Sequence, residues 1–458
     1  MTGYEDFETR LEQALRRYGD RALVPFDADL IAERAMGAPS SRPAWRALLV
    51  PALLLALLMA ATAGIITLTQ PAPTPEPSPP APEGLLGNPA GQGHATAVLG
   101  DGRVLVIHGS WTGMGQSVHS TAEIWNPASG TSTAVAGEMT TDRLQASAVT
   151  LQDGRVLVVG GFGGPYAYAS SAVAAAELWD PATGRFSPTG DLTQARVNHL
   201  LSLLPDGRVL VTGGAGPEGV IAETEIYDPA TGRFSATGSL LTPRAAGHSA
   251  TVLGDGRVLV AGGRSTDGAA LTTAETWDPR SATVQPAGDL AFARADHTAT
   301  LLPDGRVLLV GGYTGTGYQT DGTGSRQNVI NPDPDFVGQF VAEAEIWDSS
   351  AGFEAAGTLT TGRTGHSATA LDDGRVAIIG GVTGLEQEGG IYLETLDSVE
   401  IWDAATEAFR GGQDLTEPRA EHSAIAMADG SVLILGGGSV LEELTSVVVW
   451  RDQPNSDD

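Results

Sequence analysis

The sequence predicts an all-β fold: a seven-bladed β-propeller preceded by a short helical stub and one transmembrane helix. Three observations predict it. From Gly93 onward the chain repeats itself seven times. Each unit carries a turn dipeptide, usually Asp-Gly, then an apolar run that ends in Gly-Gly in all units but the first. The anchor glycines are Gly102, Gly154, Gly207, Gly256, Gly305, Gly374 and Gly430, spaced 52, 53, 49, 49, 69 and 56 residues apart. Seven units of that period read as propeller blades rather than as a bundle or sandwich. Upstream, Ala47–Thr69 is an uncharged run of 23 residues, long enough to cross a hydrocarbon core.

Composition narrows the function before any motif is read. The 458 residues hold 55 acidic and 26 basic side chains, a formal charge of -29. Every basic residue is Arg. Such a chain repels phosphate backbones, which argues against nucleic acid as a partner. There is no Cys, which excludes disulfides, thiolate metal sites, Fe–S clusters and Cys nucleophiles together.

Residues 1–46 form a polar stub of mixed charge. Phe7, Leu11, Leu15 and Tyr18 fall at helical spacing, so Tyr4–Tyr18 reads as an amphipathic helix. A second, weaker helix is expected over Asp29–Met36, with Asp27 or Asp29 as its cap. The composition equally fits a disordered tail. In 47–69, eight Leu with Val50, Ile65 and Ile66 favour membrane insertion by roughly 3–7 kcal/mol. Arg34, Arg42 and Arg46 precede the run, and no Arg follows until Arg103, so the stub is expected in the cytoplasm. Ala61-Thr62-Ala63 resembles a signal-peptidase site, but the leading region is long and acidic for a signal peptide. Residues 70–83 hold seven prolines, an extended stalk of roughly 40 Å at about 3.1 Å per residue. The propeller is expected over 84–451, followed by an acidic tail, 452–458.

Each unit decomposes into four strands. In the fourth unit, His248–Leu253 alternates in polarity, and Gly254-Asp255-Gly256 is a hairpin signal. Arg257–Ala261 is a continuous apolar strand, as expected where both faces are covered. Gly262-Gly263 ends it, Ala274–Trp277 is the third strand, and a fourth follows a Pro-containing turn. The third strand carries Trp125, Trp179, Tyr227, Trp277, Trp347, Trp402 or Trp450. Phe186, Phe234 and Phe409 follow seven residues later in three units, and Phe353 comes one residue early. In-register repetition points to packing between blades; a lectin-like aromatic site is the alternative.

Gly-Gly, a later aromatic, Asp-Pro-x-x-Gly, a second aromatic and Arg-x-x-His together resemble the kelch-repeat β-propeller family, over about residues 90–451. The Asp-Gly-Arg-Val-Leu version is similar to the bacterial, galactose-oxidase-like branch. The resemblance implies the fold; its members include binding modules, adaptors and oxidases. The copper oxidases of that branch use a Tyr covalently joined to Cys, a second Tyr and two His. A chain without Cys cannot form that cofactor. The sialidase Asp-box is absent as well.

His94, His199, His248, His297, His366 and His422 each lie eight residues before an anchor glycine. Arg143, Arg196, Arg244, Arg294, Arg363 and Arg419 precede this His position by three or four residues. Glu123, Glu177, Glu225, Glu275, Glu345 and Glu400 share one third-strand position. Two readings stay open: an internal set of ion pairs and hydrogen bonds, or an Arg ring at the channel mouth that takes an anionic ligand. Blade symmetry spaces the His too widely for one metal ion. His108, in place of the first Gly of its doublet, and His119 read as two solvated side chains.

The turns after strands one and three are near-identical and share one face. The loops after strands two and four share the other and vary in length. The longest, Tyr313–Ala344, holds Tyr313, Tyr318, Asp321, Arg326, Asn328 and Phe336. These six and the six Arg are the candidate binding residues. Asn331–Asp335 resembles a calcium loop but lacks its Gly and bidentate Glu. The seventh unit ends at Trp450-Arg451 without a fourth strand, which the segment before Gly93 is expected to supply. No catalytic set, metal site or cofactor site is assigned. The expected function is a membrane-anchored binding module with a protein or glycan ligand outside the cell. The alternatives are a single-pass transducer resembling anti-sigma factors in layout, whose stub 1–46 meets a cytosolic regulator, and an unrecognised propeller enzyme.

Overall fold

The computed structural model describes residues 84–88, 90, 93–112, 117–163, 171–315, 338–387, 390–439 and 443–452. The stub, the apolar run 47–69 and the stalk 70–83 lie outside these residues. Among the described residues no helix is long and apolar enough to cross a membrane.

Seven four-stranded antiparallel sheets are the seven blades. Blade four shows the plan: His248–Val252, Val258–Gly262, Thr273–Asp278 and Thr283–Asp289 pair in sequence order. The second strand is wholly buried in blades two to seven, as in Val209–Thr212 and Val432–Leu435. That is why it reads as an unbroken apolar run: blades cover it on both faces. Between the first two strands, Gly256 takes φ +88° and its amide meets the Leu253 carbonyl at 2.9 Å. An Asp-Gly step supplies that left-handed residue without strain.

No single core fills the molecule. Seven apolar clusters each span one seam between blades. One joins Leu204, Leu210 and Ile226 of blade three to Val258, Val260 and Trp277 of blade four. The third-strand aromatics are the seam wedges, and Trp277, Trp347 and Trp402 donate their indole N–H to Thr237, Ala287 and Ala356 carbonyls in the preceding blade. The packing reading of these residues therefore holds over the lectin-like one.

The ring closes as the sequence suggests. Gly84–Leu85 pairs antiparallel with Ser446–Val447 and becomes the fourth strand of blade seven. Two features go beyond the sequence reading. The variable loops of blades one and six are ordered hairpins, Val104–Thr112 with Ser117–Asn126 and Val382–Gln387 with Gly390–Thr395. In blade one the second and third strands run on past the doublet position, whereas in blade six a separate two-stranded sheet follows Gly380-Gly381. Asp452, the first residue of the expected acidic tail, is held by Arg375 and by Arg410, the latter at 2.5 Å.

Candidate functional site

The six candidate Arg are not at a channel mouth. All are buried, at 0–1% exposure. Arg244 shows why. Its guanidinium donates to the Gly262 carbonyl at 2.5 Å, the Thr273 carbonyl at 2.9 Å and the Glu275 carboxylate at 2.7 Å. Glu275 also accepts the amides of Leu241 and Thr242 at 2.6 and 3.3 Å. One ion pair thus fastens the interblade turn, the glycine bend and the third strand. The same pair recurs as Arg143–Glu177, Arg196–Glu225, Arg294–Glu345 and Arg363–Glu400, at 2.6–2.8 Å. This geometry matches the internal ion-pair reading, and it leaves no guanidinium facing a ligand.

The pattern is rewired on both sides of the ring closure. Blade seven has Val448 where the others have Glu, and Arg419 turns to Glu417 at 3.1 Å. Glu123 of blade one has no preceding Arg. His108 lies 2.6 Å from it, and the Gly87 amide donates at 2.7 Å. His108 is therefore buried and partnered, not solvated. Burial opposes ionisation of Glu123, but the bonds from His108, Ser132 and Gly87 outweigh it and hold the carboxyl at about 2. His108 is readable in hindsight. In blades two to six the next blade's His lies against the first doublet glycine, as His248 does against Gly213. Blade two has Ala146 there, which leaves room for a side chain at 108.

Four of the six repeat His are circumferential links. His297 Nε2 lies 3.0 Å from Ser249 Oγ, His366 Nε2 2.9 Å from Thr298 Oγ1, His422 Nε2 2.8 Å from Ser367 Oγ, and His94 Nε2 2.9 Å from Ser423 Oγ across the closure. Burial, then the nearby Arg charges, depress the fully buried ones: His199, His366 and His422 to about 3, and His248 to about 4. Spread one per blade, they do not converge. Among the described residues no three His, Asp or Glu are placed to hold a metal ion.

Sequence reading missed the ring just outside these His. The residue before each is left-handed in all seven blades: Gly93, Gln145, Asn198, Gly247, Asp296, Gly365 and Glu421, with φ from 51° to 82°. The four that are not glycine hold exposed polar side chains at the channel mouth. Such a conformation costs of order 1–2 kcal/mol for a residue with Cβ. Gln145 lies over Gly93, Asp296 over Gly247 and Glu421 over Gly365, where a Cβ on the glycine would meet the neighbour at 2.2, 2.4 and 3.2 Å. Arg264 pairs with Asp296 at 2.9 Å. The signal was available as the residue preceding each repeat His.

Tyr313 is not a surface anchor. It is fully buried, its ring is 5.1 Å from Phe340, and it bridges Ala295 and Phe340 at the base of the fifth-blade insertion. Burial pushes its hydroxyl up to about 12. Gly315 and Gly338 lie against its ring, where a Cβ would come within 2.6 and 2.0 Å of it. Tyr318, Asp321, Arg326, Asn328 and Phe336 lie outside the described residues, as does the calcium-like Asn331–Asp335. The side chain of His119 is likewise not described.

The two faces differ in charge. On the face of uniform turns, Asp101–Arg103, Asp153–Arg155, Asp206–Arg208, Asp255–Arg257, Asp304–Arg306 and Asp373–Arg375 pair within each turn at 2.5–2.7 Å. The opposite face carries the mouth ring, the base of the fifth-blade insertion and an acidic cleft between blades four and five.

No family model and no curated protein matches the chain. Solved structures do. A fungal alcohol oxidase of the AA5 family, solved in complex with copper, matches 82% of this chain and 76% of its own, at 17% identity and a TM-score of 0.61. The structure of YjhT matches 72% of this chain and 98% of its own, at 16% identity and a TM-score of 0.48. The likeness to the oxidase extends to the propeller fold.

Proposed function

We propose that the chain is a membrane-anchored binding module that presents the variable-loop face of its propeller to a partner outside the cell. The contrast between the two faces carries this reading. One face repeats a self-neutralised turn, while the other breaks the repeat in length, charge and residue type. Repeat proteins concentrate their binding differences in such departures. The neighbouring oxidase is solved with copper, but this chain has no Cys and its buried His are dispersed around the ring. No copper-dependent step follows from these residues.

Deleting Thr316–Asp335 and joining the ends with a short Gly-Ser turn is expected to leave the fold intact. It should abolish capture of the cross-linked partner from the cell surface. Unchanged capture sinks the assignment of this face. Anchoring rests on 47–69 and its basic flank, so protease added to intact cells should release the propeller by cutting near 70–83. Recovery of a mature form starting near Gly64 overturns the anchor. The helical spacing in residues 1–46 favours a second use, signalling to a cytosolic regulator. It predicts that a stub-deleted chain still captures the outer partner but no longer changes transcription.

A further inference from the structure

Between blades four and five the binding face opens into a cleft of about 300 Å³. This is the lower end of the range for small-ligand sites, room for one long side chain. Its walls are the turn entering blade five and the third and fourth strands of that blade. Phe292 and Phe353 supply the apolar surface, and Asp289, Glu343 and Glu354 the charge.

Phe292 breaks the repeat. The same turn position holds Thr141, Gln194, Thr242, Thr361 or Glu417 elsewhere, all polar. Phe292 remains 39% exposed, one of few large apolar side chains at the surface. Glu345 also lines the cleft but is committed to Arg294 and to the amides of Ala291 and Phe292. Asp289 and Glu354 form no ion pair among the described residues. Two phenyl rings beside carboxylates without a counter-ion match a group that is apolar along its stem and cationic at its tip. The chain's charge of -29, with no Lys, draws cations toward it and turns phosphate away.

We propose that this cleft seats an arginine or lysine side chain of a basic segment on the partner protein. The methylene stem lies against Phe292, and the cationic tip faces Asp289, Glu343 and Glu354. The inference rests on the reading of this face as the binding face and adds the chemistry of its partner.

The probe is octa-arginine, titrated into the full chain in detergent at physiological salt, where diffuse attraction is screened. Phe292→Thr installs the residue type that other blades carry and is expected to fold. It should weaken binding about fivefold, the loss of the apolar contact with the stem. Asp289→Asn with Glu354→Gln should weaken it further. Glu218→Gln with Asp397→Asn removes two exposed carboxylates elsewhere and should leave it unchanged. Equal weakening by the two double variants, or full affinity in Phe292→Thr, overturns the proposal. Failure of the face assignment reads differently, as unchanged partner capture after the Thr316–Asp335 deletion.

Discussion

Each buried Arg–Glu pair has more than one task, which changes the usual arithmetic of such pairs. Replacing both partners of a buried ion pair by apolar residues is often neutral, because two desolvated charges leave together. Here Glu275 also satisfies two turn amides, and Arg244 two carbonyls. Glu275→Gln should cost on the order of 3–5 kcal/mol, since it strands a buried guanidinium. Arg244→Met with Glu275→Leu should recover little, because the backbone groups are then orphaned. Urea unfolding of the two single variants and the double variant measures this. A double variant as stable as the parent shows that the carbonyls and amides find other partners. The pairing of Arg with Glu was legible in the sequence as one of two readings, because both recur in register. Which reading holds was not legible, since spacing along the chain does not say whether a side chain points to the seam or to the axis.

At the scale of strands, the closure is the most exposed point of the architecture. Two residues, Gly84 and Leu85, complete blade seven. The sequence suggested this mainly through the missing strand after Trp450, since few residues in Gly84–Gln92 look strand-like. What the position demands is space. A Cβ on Gly84 would come within 2.2 Å of the Trp125 ring and 2.4 Å of the Gly130 carbonyl. Gly84→Ala should therefore displace the strand and cost about 1–3 kcal/mol, as overpacking does. Amide exchange should rise at Ser446–Val447, which lose their outer neighbour. Leu85→Ala, at a side chain 66% exposed, should change neither. Equal effects of the two substitutions refute the argument. The hairpins of blades one and six escaped the sequence for a different reason. Their residues alternate weakly, and in blade six the glycine doublet that ends the second strand concealed the separate hairpin that follows it.

Across the whole molecule the buried His tie stability to pH. The folded chain holds His199, His248, His366 and His422 neutral down to about 3–4, while the unfolded chain protonates them near 6.5. His297 is also pushed well below its ordinary value by burial and by Arg294. Between these limits the unfolded state binds more protons. Stability is therefore fully present above pH 6.5 and falls as pH drops toward 4, by up to about 1.4 kcal/mol per pH unit for each His. Urea midpoints from pH 7.5 to 5 should fall steeply, and His366→Gln should reduce the slope by one proton. A flat profile sinks the linkage. The mouth ring has a further consequence that belongs to parity. Gly93, Gly247 and Gly365 take turns with Gln145, Asp296 and Glu421, each larger side chain leaning over the glycine before it. Seven is odd, so strict alternation around a closed ring must fail once. It fails where Gln145 is followed by Asn198. The rim thus has a built-in origin, like a clock face with one doubled hour. Seen from the axis, the seven directions around the rim are therefore all inequivalent.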